Sequence, residues 1–137
     1  MKYLSEYMND QQTELFNKLG VFFAFGQDQF NERRQPGVTY ISLGAGLICP
    51  KHNADALEKG LDKIHTEAIR QDVNENGADA IIEREYWNHE TQITMNDTDA
   101  RRALDGHIKH FPGLFTPERI KQVMNQCYAL AVENDLF

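Results

Sequence analysis

Cysteine, long apolar runs and clustered basic charge are what this sequence has least of, and each shortage excludes something. Its two cysteines, Cys49 and Cys127, stand 78 positions apart. That separation fits neither a CxxC pair nor a zinc-finger spacing, so neither a disulfide framework nor a structural zinc is expected. No run approaches the length of a membrane span, and the opening Met1-Lys2-Tyr3-Leu4-Ser5-Glu6 reaches polar residues too soon for a signal peptide. A cytoplasmic protein without membrane contact is the expectation. Basic residues form no stripe, and an excess of acid would repel phosphates, so direct nucleic-acid binding is disfavoured. Internal repeats and low-complexity tracts are also missing.

What is present is the composition of a folding chain. Of 137 residues, 41% are hydrophobic and 26% charged, enough apolar material for a core and too much for intrinsic disorder. The length predicts one globular domain over residues 1–137. The net charge of −7 comes from 21 acids and 14 bases, and its placement is uneven. From Asp72 to Asp99 there are eight acids (Asp72, Glu75, Asp79, Glu83, Glu85, Glu90, Asp97 and Asp99) against one base, Arg84; the other 109 residues balance at 13 and 13. An acidic segment 72–99 inside the domain therefore carries the whole excess.

The periodicities predict an α+β, mainly helical fold with about five helices and a small two-stranded hairpin over residues 38–49. A first helix is expected from Ser5 to Leu19, ended by Gly20 in the left-handed conformation that caps helices. Val21-Phe22-Phe23-Ala24-Phe25 is too short a run to assign as strand or helix. Pro36-Gly37 marks a turn before a β-branched run at 38–43; Gly44-Ala45-Gly46 then separates it from Leu47-Ile48-Cys49. Asn53 is placed as the cap of a long helix ending near Val73 or Glu75, and Asn76-Gly77 breaks the pattern before another helix from Ala78 to Glu90. A short helix from Asp97 or Thr98 to Gly106 is followed by a loop from His107 to Phe115. The last helix has Thr116 as cap and Pro117 at its first position.

Several chemical constellations fail on spacing. Gly44 and Gly46 lack the third glycine or alanine of a dinucleotide fingerprint, since Cys49 stands there and a strand follows. Cys49 with His52 offers a thiol beside an imidazole, but a cysteine closing an apolar run reads first as core. Cys127 lies within the apolar arc of the last helix. The pairs Asp62 and His65, Glu85 and His89, and His107 and His110 each supply partial ligand sets, and none completes a metal site. No metal, cofactor or catalytic residue is expected. Glu85 falls in the middle of a face built from Ile81 and Ile82, where a buried carboxylate needs a partner, and His89 one turn on is the candidate.

The opposite side of that helix is the preferred site. Asp79, Glu83 and Glu90 fall within about 40° on a helical projection, flanked by Tyr86 and Trp87. Carboxylates beside exposed aromatics suit a protein interface, because the charges steer a basic partner and a desolvated Trp anchors it. Five of the eight Phe lie between Phe16 and Phe30, and clustered aromatics build cores first.

Ser5-Glu6-Tyr7-Met8-Asn9, Gln12-Thr13-Glu14-Leu15-Phe16-Asn17-Lys18, Phe22-Phe23-Ala24-Phe25-Gly26, Gln29-Phe30-Asn31-Glu32, Tyr40 and Gly44-Ala45-Gly46-Leu47-Ile48-Cys49-Pro50 resemble a family of small uncharacterised proteins encoded by phages and prophages. The resemblance spans roughly residues 3–77 and implies a phage or prophage origin with no established reaction. Small phage proteins of this sort often bind and block host machinery. The resulting expectation is an accessory protein in the host cytoplasm that inhibits a host protein with a basic surface, such as an antiviral defence or nucleic-acid-handling factor, by acidic mimicry of a phosphate backbone. Two alternatives remain open. One is a small-molecule-binding protein or small enzyme using the Phe-rich stretch and Gly44–His52; the other is a virion or assembly component that self-associates as a homo-oligomer.

Overall fold

Gly20 ends the first helix, α1 (Asn9–Leu19), at φ 71°, and its N–H returns to the Phe16 carbonyl. The helix starts later than Ser5 because residues Leu4–Tyr7 form a tighter 3-10 turn first. The computed structural model describes residues 1–137 throughout. Eight α-helices and a three-stranded antiparallel sheet make an α+β, mainly helical chain. The chain divides into two compact units, Met8–His65 and Thr66–Phe137 with Met1–Tyr7.

In the unit Met8–His65, Phe22–Phe23 form β1, Gln27–Arg33 form α2, Tyr40–Ser42 form β2 and Leu47–Pro50 form β3. The expected hairpin pairs β2 with β3, with Ile41 opposite Cys49. A third strand joins on the other edge, where Phe22 lies opposite Ile48. β1 was invisible to alternation because it is two residues long and its partner lies some 25 positions away. The turn Gly44-Ala45-Gly46 has positive φ at all three residues, and a Cβ at Gly46 would stand 2.5 Å from the Phe25 ring. Val21, Cys49 and Leu57 form the core here, with Leu15, Leu19 and Leu61 packed against them. Phe22, Phe30 and Tyr40 form a triangle of rings with centroids 5.6–6.3 Å apart. Phe23 and Phe25 stack on each other in solvent, so the Phe-rich stretch is only partly core.

Helix α3 (Ala54–Asn76) begins in that unit and ends in the other. Asn53 stands just before it, and its side-chain amide donates to the Leu19 carbonyl at 2.8 Å. After Gly77 comes α4 (Ala78–Asn88), then the short helices α5 (Thr91–Thr94), α6 (Thr98–Ala103) and α7 (Asp105–His110), and finally α8 (Pro117–Asn134). The segment read as a loop from His107 is thus partly helical. α7 was hidden because it is barely two turns long and has no apolar period of its own. α8 starts as expected: the Thr116 hydroxyl accepts from the Arg119 N–H at 3.2 Å, and Pro117 sits where no N–H is required. The core of this unit joins Ile81, Ile82 and Tyr86 of α4 to Leu104, Phe115, Ile120, Val123 and Cys127.

Candidate functional site

α4 carries different chemistry on its two sides. Ala78, Ile81, Ile82, Arg84, Glu85 and Tyr86 are buried, whereas Asp79, Glu83 and Glu90 face solvent and Trp87 is half-buried. Tyr86 is therefore removed from the proposed contact surface. Its ring is 3% exposed and packs in the core, edge-on to Trp87 with centroids 5.0 Å apart. The helical projection placed Tyr86 at the border of the acidic stripe, and packing turned that border inward.

Beneath the surface lies a polar network that spacing alone did not reveal. The Asp72 carboxylate, fully buried, accepts from both terminal nitrogens of Arg84 at 2.8 and 3.0 Å, from Asn76 Nδ2 at 2.8 Å and from His107 Nε2 at 2.8 Å. A carboxylate accepts only, so His107 carries its proton on Nε2 in this contact; Nδ1 is buried without a hydrogen-bond partner. Arg84 also donates through Nε to Glu85 at 2.8 Å and through Nη1 to the Lys2 carbonyl at 3.0 Å. Glu85 in turn meets His89 Nε2 at 3.4 Å. Burial pushes the Asp72 carboxyl up, but the hydrogen bonds from His107, Arg84 and Asn76 outweigh it and lower the group to about 2. For Arg84, burial works against the charge, while Asp72 and Glu85 raise its pKa overall. The bidentate Arg84–Asp72 fork is the strong form of such a contact. Asp72 and Arg84 are not among the residues the sequence singles out for a site, and His107 is weighed there only with His110 as a partial metal-ligand set. The signals were present: Asp72 sits one turn after Ala68 and Ile69 on the buried face of α3, and Arg84 is the lone base among eight acids.

The network changes the account of the acidic segment, because much of its charge is already engaged. Asp72 and Glu85 are internal. Glu75 accepts from the Tyr7 hydroxyl at 2.7 Å, Asp79 pairs with Arg119 at 2.6 Å, Asp97 with Arg101 at 2.6 Å and Asp99 with Arg102 at 3.5 Å. Of the eight acids, Glu83 and Glu90 alone neither pair with a base nor accept a side-chain hydrogen bond. These two line a surface pocket of about 510 Å³ with Trp87 and Tyr3, and Arg84 reaches it from the buried side. Asp79 is not part of the pocket. The site read from the sequence thus contracts from five residues to Glu83, Trp87 and Glu90, with Tyr3 added.

Both cysteines, Cys49 weighed as a nucleophile beside His52 and Cys127 read as core, are buried. Cys49 is buried, its thiol lies 3.3 Å from the Pro50 carbonyl, and burial raises its pKa. Burial together with the Glu83 charge pushes Cys127 up to about 11. Neither thiol is poised as a thiolate near neutral pH. No cluster of three or more His, Cys, Asp or Glu is disposed to hold a metal ion. No helix is long and apolar enough to cross a membrane.

A family profile matches this chain over residues 4–129, and its description is a family of unknown function (DUF7659). No curated protein and no solved structure matches the chain.

Proposed function

We propose, from the premise that this chain belongs to the family of unknown function DUF7659, that it acts by binding, seating a basic side chain of a partner protein between Glu83, Trp87 and Glu90. The observation that carries this reading is the pair of carboxylates left without any partner beside a half-buried indole. A Lys or Arg entering there exchanges water for two carboxylates and an aromatic face, and a cation held over an indole contributes about 0.5–2 kcal/mol. The surrounding acids, though paired, leave the molecule at −7 and would steer a basic partner toward the pocket. The resemblance to phage and prophage proteins read from the sequence over roughly residues 3–77 is what makes a host factor the partner in this reading. In this reading the protein is a phage-encoded inhibitor working in the host cytoplasm, and an antiviral defence or nucleic-acid-handling protein with a basic surface is its target.

An arginine-rich peptide titrated against Trp87 fluorescence tests the pocket. The expected result is saturable binding that weakens with salt and falls at least about tenfold in Glu83→Gln/Glu90→Gln, roughly 1.4 kcal/mol, with an unchanged melting temperature. An Asp97→Asn/Asp99→Asn control should bind like the parent. Equal binding by both variants would reject the pocket. Affinity purification from a phage-infected host, comparing the parent with Glu83→Gln/Glu90→Gln, then identifies the partner whose retention depends on these carboxylates.

A further inference from the structure

The unit Met8–His65 holds a second pocket whose charge is opposite to that of the chain. It measures about 530 Å³ and is bounded by the end of α1, the Gly20–Phe22 segment, the end of α2, β2 and the Pro50–Asn53 turn. Its lining includes Lys18, Arg33 and His52 and not one Asp or Glu. In a protein with 21 acids, three basic side chains on one cavity without a carboxylate among them are a selective arrangement. Neither Lys18 nor Arg33 forms an ion pair, although five of the six other arginines in the chain do. Arg33 instead lies over the Phe22 ring at 5.2 Å, a position that holds the guanidinium in place and leaves its donors available.

We propose that this pocket binds a small phosphorylated aromatic compound of the mononucleotide class. Two further features of the lining bear on the chemistry of the ligand. The Tyr40 hydroxyl accepts from the Gln35 N–H at 2.9 Å, and its own proton has no acceptor, so it adds a donor to the cavity wall. Beside the polar Asn17, Gln35 and Asn53, the lining carries the half-buried rings of Phe16 and Tyr40, which give a flat ligand ring surface to stack on. Cationic side chains together with half-buried aromatic rings on one cavity match a phosphate attached to a heteroaromatic body. The cavity has the volume of ordinary small-molecule sites, roughly 300–1,000 Å³. It lies apart in sequence from Glu83 and Glu90, so this inference stands or falls independently of the basic-partner reading.

Isothermal titration of the full chain with adenosine monophosphate, adenosine and inorganic phosphate tests it. The monophosphate should bind at least about tenfold more tightly than either adenosine or phosphate. Amide shift changes should centre on Phe22, Arg33 and Tyr40. Lys18→Gln/Arg33→Gln should lose at least about tenfold in monophosphate affinity while adenosine binding stays unchanged. Lys18→Gln alone, at an exposed position, serves if the double variant unfolds. No saturable binding at millimolar monophosphate, equal affinity for adenosine, shifts located elsewhere, or undiminished binding by a folded variant would each overturn the proposal.

Discussion

Replacing Asp72 by Asn removes one charge from the centre of the buried network and nothing else of its shape. The parent carboxylate accepts four hydrogen bonds from Arg84, Asn76 and His107. An amide oxygen keeps part of that, but its NH₂ group faces donors, and Arg84 is left with Glu85 as its only anionic neighbour. Removing one partner of a buried ion pair typically costs about 3–5 kcal/mol. Against a stability of roughly 5–15 kcal/mol for a domain, this is a large fraction. The same residue sets a pH signature. Its carboxyl falls from 3.8 to about 2 on folding. At about 1.4 kcal/mol per pH unit, that difference corresponds to roughly 2.5 kcal/mol. The sign follows from the depressed pKa: the contribution is complete above pH 4 or so and is lost as pH falls toward about 2. Urea titrations at a series of pH values, followed through the single Trp87 on α4, measure both effects. The parent should lose stability steeply between about pH 4 and 2, and Asp72→Asn should start lower and show a correspondingly shallower acid limb. A loss below about 1 kcal/mol at neutral pH, or an acid limb identical in the two proteins, would refute the argument that this carboxylate holds the network together.

Two other predictions concern the rest of the chain. Both thiols should resist a disulfide reagent in the native protein at pH 8 and react together once urea exposes them, because burial raises the pKa of Cys49 and of Cys127; rapid labelling of the folded chain would contradict this. Gly46→Ala should cost more than Gly44→Ala in thermal unfolding. Both positions have positive φ, about 1–3 kcal/mol of strain for a side chain, but only at Gly46 does the new Cβ also run into the Phe25 ring. Equal losses would show that the ring moves aside freely.

The parts of this fold that could be read from the sequence are those whose signal is local. Gly20, Thr116 and Pro117 mark helix ends through their own backbone chemistry, and Ile81 and Ile82 announce a buried face through their spacing. The misses arise where distant residues decide. Phe22 becomes a strand only because Ile48 offers its edge, and Asn53 bonds to Leu19, 34 positions earlier. The candidate site behaved the same way. Glu83, Trp87 and Glu90 were visible as a helical stripe, but only tertiary structure brought Arg119 to Asp79 and turned Tyr86 inward. His107, taken as a loop residue, became a fully buried imidazole because Asp72 provides it with an acceptor.

Helix α3, at 23 residues, is one continuous rod governed by two kinds of force. Its opening turns are gripped by aliphatic packing around Leu57, which ionic strength and moderate acid scarcely touch. Its closing turns hang on Asp72 and therefore on proton concentration. Acidification should accordingly fray this rod from its C-terminal end, turning a single element of secondary structure into one that melts in two stages.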